Sequence, residues 1–274
     1  MNIRCKSCPG SFGDKEVLLH YFDEETRADA PLFLLLHGVH GCASSVEGNK
    51  YGYLARLIAH KRFPVCAAES SRLRRDRETF GDDRPAWAVA SFQGKTFAME
   101  VFDASSALAA AAAEYPGRKI VLWGFSLGGL LSVLLAGGES GRFIRQTGLE
   151  PITLPGVDAL VISGSGDRIR AEASAGLALP ILNSLGSSEV IHTAASKVSL
   201  SFALFFYGGC DGTFDEESSR RILRSLRLDE EKKEFHILSG VDHAFRTVNG
   251  TPSFEPLEQM LGITMATLER RRRT

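Results

Sequence analysis

A serine flanked by glycines lies between two apolar stretches of this chain. Lys119–Trp123 has the length and β-branched content of a buried strand, and Leu130–Leu135 can be carried by a helix into a core. Between them, Gly124, Ser126 and Gly128 form a Gly-x-Ser-x-Gly pattern. A tight strand-to-helix turn strains its apex residue and leaves no room for side chains beside it. The pattern therefore predicts a serine above a helix N-terminus, where free N–H groups favour negative charge.

An aspartate and a histidine follow later strands of the predicted sheet. Asp211 comes shortly after the strand Leu200–Tyr207, and His243 comes shortly after the strand Glu234–Leu238. Catalytic groups collect at the carboxyl ends of parallel strands, so these two side chains are expected to meet Ser126. A serine deprotonated by a histidine, which an acid orients in turn, is suited to nucleophilic attack on acyl compounds.

The acid has two competitors in the sequence. Asp215 lies four residues after Asp211, and Asp167 follows the preceding strand. All three stay open as the partner of His243. The other six histidines lie within strands, near a helix end, in a polar stretch or in the loop after the third strand: His20, His37, His40, His60, His192 and His236.

Composition and charge exclude several classes of function. The formal net charge of the 274 residues is −1, so we expect no nucleic-acid partner. No apolar run is long enough to span a bilayer, so we expect no membrane insertion. The basic segment Arg270–Arg273 is interpreted as a solvated tail. The start of the chain lacks the apolar stretch of a secretory signal, which favours a cytoplasmic location.

The cysteines and histidines do not have the spacing of a metal site. Cys5 and Cys8 form one Cys-x-x-Cys pair without a second pair to complete a zinc site, and the total of five cysteines gives no disulfide framework. Cys42 and Cys210, near the predicted site loops, are interpreted as small filling residues. No phosphate-binding glycine-rich loop is present, so we expect neither metal nor cofactor.

Strands and helices alternate along most of the chain. This predicts a mostly parallel sheet of eight strands covered by helices on both faces, in a single domain of residues 1–274. The remaining predicted strands are Asn2–Cys5, Glu16–Phe22, Pro31–Leu36, Phe63–Ala68 and Val157–Ser163. The predicted helices are Val46–Arg62, Phe97–Tyr115, Glu216–Leu228 and Ser253–Arg272, with short helices over 170–197 and a long loop, holding at most one short helix, over 71–95.

With its Ser, Asp and His in that order, the chain resembles the α/β-hydrolases. The resemblance covers nearly the whole chain and is nearest to the esterase, acylglycerol lipase and serine-aminopeptidase-like branch, with dienelactone-hydrolase-like relatives. It implies that Ser126 is the nucleophile, His243 the general base and Asp211 the acid that orients it. It also implies an oxyanion hole formed by the backbone N–H groups of Val39 and Leu127.

The resemblance implies a small-molecule acyl substrate. We expect cleavage of a carboxylic ester of small or medium acyl chain, with a thioesterase, an amide or peptide hydrolase, or a non-enzymatic binding protein as alternatives. Only a small cap, at about 167–198, is expected over the site. Leucines and an isoleucine there form either an acyl-binding wall or a helix face packed on the sheet: Leu177, Leu179, Ile181, Leu182 and Leu185. The oligomeric state is not readable from the sequence.

The arginine-rich segment after Glu69 has two interpretations. Four of its arginines and three large aromatic residues either hold a carboxylated or aromatic substrate or form a solvated charged loop, and the charge pattern favours the loop. They are Arg72, Arg74, Arg75, Arg77, Phe80, Trp87 and Phe92.

Overall fold

The computed structural model describes residues 1–39, 41–174, 180–251 and 253–273. Eight strands form one sheet, and we number them in chain order. They are β1 (Asn2–Pro9), β2 (Glu16–Asp23), β3 (Leu32–Leu36), β4 (Val65–Glu69), β5 (Ile120–Phe125), β6 (Ala159–Ser163), β7 (Phe202–Gly208) and β8 (Lys233–Leu238). Their order across the sheet is β1-β2-β4-β3-β5-β6-β7-β8. Strand β2 runs antiparallel to both its neighbours, and every other pair is parallel, so the predicted fold class is confirmed.

Helices cover both faces of the sheet. The α-helices are α1 (Lys50–His60), α2 (Arg84–Phe92), α3 (Phe97–Glu114), α4 (Leu127–Ala136), α5 (Ser140–Ile144), α6 (Ala171–Ser174), α7 (Pro180–Asn183), α8 (Glu189–Ala195), α9 (Glu216–Ser225) and α10 (Glu255–Arg273). Short 3₁₀ turns occur at Arg77–Phe80, Arg145–Thr147 and Glu230–Lys232.

Strand β3 shows why the central strands are apolar throughout. Leu32, Leu34 and Leu36 belong to the core on the side of helices α3 and α4, whereas Phe33 and Leu35 belong to the core on the side of α1 and α10. All five residues are buried because alternate side chains of a strand point to opposite faces, and both faces are covered.

The site loops meet where the strand order reverses. The chain passes from β3 to β4 on one side and returns to β5 on the other side of β3. Such a reversal opens a crevice at the carboxyl ends of the two central strands. The loop that starts at His37 and the turn at Ser126 therefore lie side by side.

Several predicted boundaries were wrong, each for a local reason. Helix α1 begins at Lys50 rather than Val46, because the Asn49 side chain accepts hydrogen bonds from the first turn and caps it. Strand β1 continues past Cys5 to Pro9 because it pairs with β2 over its whole length. The short helix α5 was not predicted.

Candidate active site

Ser126 occupies the turn between β5 and α4 in a strained conformation. Its φ is 53° and its ψ is −118°, a region that residues other than glycine rarely adopt. Its N–H donates to the Ser163 carbonyl at 2.8 Å. A Cβ on Gly124 would lie 2.2 Å from the Gly128 carbonyl oxygen, and one on Gly128 would lie 2.3 Å from that of Leu36. Glycines at both positions are therefore required for strand, turn and helix to pass so closely.

A chain of hydrogen bonds joins the three predicted residues. His243 Nε2 lies 3.1 Å from Ser126 Oγ, and His243 Nδ1 lies 2.9 Å from Asp211 Oδ2. With the carboxylate beside Nδ1, the neutral imidazole carries its proton there. The lone pair of Nε2 then faces the serine hydroxyl and can accept its proton.

The Asp211 carboxylate is buried and fully provided with donors. The residue is 4% exposed. Its Oδ1 accepts hydrogen bonds from the backbone N–H groups of Thr213 at 2.7 Å and Phe214 at 3.0 Å, while Oδ2 faces His243. Three donors stabilise a buried negative charge and fix the carboxylate toward the imidazole.

The two competing acids have other partners. Asp167 accepts hydrogen bonds from Arg221 and lies 2.9 Å from His192 Nε2. Asp215 caps helix α9 by accepting from the Ser218 N–H at 2.6 Å. The structure thus brings Asp211, and neither competitor, to the histidine that contacts the serine.

The predicted oxyanion-hole residues lie beside Ser126. A Cβ on Gly38 would be 2.9 Å from the Ser126 Cβ, so the loop after β3 touches the turn directly. Leu127 is the first residue of α4, where a backbone N–H has no intrahelical acceptor. Val39 and Leu127 line the same cleft as Ser126.

His37 holds the loop after β3 in place. Its Nε2 accepts a hydrogen bond from the Ser70 N–H at 3.1 Å, which leaves Nδ1 to donate to the Gly38 carbonyl at 2.7 Å. Complete burial lowers the pKa of His37, so the ring stays neutral and can both donate and accept. His40, also near this loop in the sequence, lies outside the described residues.

Comparison with solved structures establishes the fold. An esterase from Thermogutta terrifontis with bound propionate shares 14% identity and a TM-score of 0.63, over 98% of this chain and 94% of that one. A dienelactone hydrolase from Anabaena variabilis shares 15% identity and a TM-score of 0.55, over 95% and 96%. The thioesterase domain from the curacin biosynthetic pathway shares 11% identity and a TM-score of 0.58, over 98% and 100%. The chain has the α/β-hydrolase fold. No family model and no curated protein matches its sequence.

A cleft of about 560 Å³ opens above the site of this α/β-hydrolase fold. Ser126, His243, Val39 and Leu127 line it. A cleft of this volume accommodates a small organic molecule.

The predicted cap region is built from short helices. Over 167–198 the described residues form α6, α7 and α8. Ile181, Leu182 and Leu185 line the cleft and also pack on the core under α3 and α4, so both interpretations of this apolar group hold for them. Leu177 and Leu179 lie outside the described residues.

The arginine-rich segment differs from the predicted solvated loop. It contains a 3₁₀ turn and helix α2, and Trp87 and Phe92 form a small buried core. Arg72 is fully buried, with its guanidinium over both aromatic rings and 3.0 Å from Glu69. Trp87 and Phe92 lie against Arg72 rather than in the cleft, whereas Arg74 is exposed and Arg77 lines the cleft. The solvated-loop interpretation is therefore wrong for the buried part of the segment around Arg72.

Glu69 anchors this segment electrostatically. Burial alone would raise the pKa of its carboxyl group, but the charges of Arg72 and Arg75, together with the His20 ring at 3.8 Å, lower the pKa to about 2. The carboxylate therefore stays charged beside the buried arginine.

The cysteines near the site are not set up as nucleophiles. Burial is the largest cause that raises the pKa of the Cys42 thiol to about 11, so the thiol stays protonated at neutral pH. Cys210 is exposed. Among the residues that the structure describes, no cluster of His, Cys, Asp or Glu could hold a metal ion. Within the same residues, no helix has the length and apolar character needed to cross a membrane.

Sequence reasoning missed several residues around the site. The backbone of Thr213 and Phe214 holds the acid, and the dipeptide Asp211-Gly212 is a recognisable turn signal. Lys50 also lines the cleft, with its Nζ 4.6 Å from the centre of the Phe125 ring. No local pattern points to this lysine, because the β3–α1 connection alone brings it there.

Proposed function

We propose that this protein is a serine hydrolase that cleaves a carboxylic ester of small or medium acyl chain through an acyl-enzyme on Ser126. The observation that carries the proposal is the continuous hydrogen-bonded chain from Ser126 Oγ through His243 to the buried Asp211. The strained turn and the adjacent oxyanion loop support the same reaction.

Acylation begins with attack of Ser126 Oγ on the ester carbonyl carbon. His243 Nε2 takes the hydroxyl proton as the new C–O bond forms, and the carbonyl π electrons move to oxygen. Asp211 keeps the imidazole in the required tautomer and stabilises its positive charge. The N–H groups of Val39 and Leu127 donate to the oxyanion, and each such donor contributes roughly 3–4 kcal/mol.

Collapse of this intermediate expels the alcohol. The oxyanion electrons reform the carbonyl, the bond to the alcohol oxygen breaks, and His243 returns its proton to that oxygen. Water then attacks the acyl-enzyme with His243 again as base, which releases the carboxylic acid and regenerates Ser126.

The cleft supports a small or medium acyl chain. Its volume of about 560 Å³ holds the reacting ester with a short chain, and its apolar side chains include Ile181, Leu182 and Leu185. The T. terrifontis esterase was solved with propionate bound, which is consistent with this size class.

A thioester is the second candidate substrate. One of the similar structures is a thioesterase domain, and the same triad attacks thioesters by the same steps. Ester, thioester and amide substrates with the same acyl group, compared by kcat/KM, separate these activities. Cytoplasmic location and a single domain remain predictions.

The test is burst kinetics on p-nitrophenyl butyrate. We expect a burst of p-nitrophenol equivalent to the enzyme concentration, or steady turnover if deacylation is fast, and loss of both in Ser126→Ala. Ser187→Ala, at a serine outside the cleft lining, is the control and should retain full activity. Undiminished turnover in Ser126→Ala would refute the mechanism, and folded protein without any turnover or adduct would favour a binding protein.

A further inference from the structure

The cleft lining has an excess of positive charge. Its cationic side chains are Lys50, Arg77, Arg168 and Arg246. The one carboxylate among the described lining residues is Asp167, and its charge is compensated by Arg221. Arg246 is paired with Asp242. The charges of Arg77 and Arg168 are not compensated by a carboxylate of the described residues, and both side chains line the cleft.

Arg77 differs from its neighbours in the same segment. Arg72 is paired with Glu69, Arg74 with Asp76, and Arg75 with Asp14. Within the described ranges, no ion pair or side-chain hydrogen bond involves Arg77, although its side chain is half-buried. Of these four arginines, the one that lines the cleft is thus the one without a carboxylate partner among the described residues.

Arg77 lines the same cleft as the reacting groups. Arg77 and Cys42 line the same cleft, and the Arg77 guanidinium is among the charges that oppose the rise in the pKa of the Cys42 thiol that burial causes. Cys42 follows the oxyanion loop and also lines the cleft. Arg77 therefore shares one cleft with Ser126 and the oxyanion loop.

A second unpaired cation lies on another side of the cleft. Arg168 follows strand β6, whose last residue, Ser163, accepts the hydrogen bond from the Ser126 N–H. No ion pair joins the Arg168 side chain to a carboxylate of the described residues. Arg168 is exposed, so its contribution is smaller than that of the half-buried Arg77.

We propose that the substrate of this site carries a carboxylate, which Arg77 binds while Ser126 attacks the ester carbonyl. The inference rests on the proposed hydrolase function and specifies its substrate class. A guanidinium presents paired N–H donors that match the two oxygens of a carboxylate, and partial burial strengthens the interaction. Arg168 adds long-range attraction for the same anion.

Two pairs of esters test the proposal and locate the carboxylate. Mono-p-nitrophenyl glutarate carries it on the acyl part, and p-nitrophenyl pentanoate is its neutral counterpart. 4-Acetoxybenzoate carries it on the leaving group, and methyl 4-acetoxybenzoate is its neutral counterpart. For each pair, the ratio of kcat/KM for the anionic ester to that for the neutral ester is measured in the wild type and in variants, so the intrinsic reactivity of each ester cancels.

In Arg77→Gln, we expect this ratio to fall roughly 10- to 100-fold for the pair whose carboxylate reaches Arg77, as for loss of a charge-assisted hydrogen bond. Arg168→Gln should lower it by a smaller factor that disappears at high salt. Arg74→Gln is the matched control. It removes an arginine of the same segment that is paired with Asp76 and does not line the cleft, so the ratio should not change.

Failure of this inference is distinct from failure of the proposed function. If Arg77→Gln leaves both ratios at their wild-type values while the esters are still cleaved at Ser126, the carboxylate proposal is overturned and the hydrolase stands. If no ester is cleaved and Ser126 forms no adduct, both are overturned.

Discussion

Replacing Asp211 by asparagine should remove activity without removing the fold. The Asp211 Oδ1 accepts two backbone hydrogen bonds, at 2.7 and 3.0 Å, so the amide oxygen of asparagine will occupy that position. The amide NH₂ then faces His243 Nδ1, where a carboxylate oxygen now lies at 2.9 Å. An NH₂ donor forces Nδ1 to accept, so the ring proton moves to Nε2. The imidazole then cannot take the Ser126 proton.

The size of this effect follows from the wrong tautomer. The equivalent change in a Ser-His-Asp enzyme lowers kcat about 10⁴-fold, or about 5.5 kcal/mol in activation free energy. We expect a similar loss in steady-state cleavage of p-nitrophenyl butyrate. Thermal unfolding followed by circular dichroism should show a folded variant, because the asparagine keeps the backbone hydrogen bonds.

Asparagine at the two competing acids provides the controls. Asp215→Asn alters a helix cap and Asp167→Asn alters a contact with Arg221, so both should retain kcat within a few-fold. The assignment of the acid would be wrong if Asp211→Asn kept more than a tenth of wild-type kcat. It would also be wrong if Asp167→Asn showed the large loss instead.

Two further predictions concern stability. Gly128→Ala should lower the free energy of unfolding by about 1–3 kcal/mol, because the added Cβ would overlap backbone atoms. Gly262→Ala should raise the free energy of unfolding by about 0.5–1 kcal/mol, because alanine favours the helix and its Cβ would meet no atom within 4 Å. Urea unfolding measures both, and equal effects would contradict the packing argument. The Glu69 pKa, lowered from 4.5 to about 2, gives stability that is full above the unfolded pKa and is lost as pH falls toward 2. The stability difference between wild type and Glu69→Gln should be constant from about pH 8 to 5.5 and shrink by roughly 1.4 kcal/mol per pH unit below about 4.5; a difference independent of pH down to 3 would contradict the lowered pKa.

The parts predicted well from sequence are those fixed by local pattern. The sequence of strand β3 predicts burial because every residue in it is apolar, and the glycines on either side of Ser126 predict the turn. The rule that functional groups follow strand ends then selects His243 and limits the acid to Asp211, Asp215 or Asp167. These inferences need only the alternation of strands and helices, which the sequence displays.

The parts predicted poorly depend on long-range charge pairing. A run of arginines looks solvated, yet Arg72 is buried because Glu69 and two aromatic rings surround its guanidinium. Asp167 could not be separated from Asp211 by sequence, because its partners Arg221 and His192 lie in other elements. Such pairings appear only when the chain is folded.

The most direct test of the central claim is labelling of the folded protein with a fluorophosphonate, followed by peptide mass spectrometry. The reagent forms a stable phosphorus–oxygen bond with a serine only where a base activates the hydroxyl. We predict one adduct per chain, on the peptide that contains Ser126, and its loss in His243→Ala. An unlabelled folded protein, or an adduct on a different serine, would contradict the account.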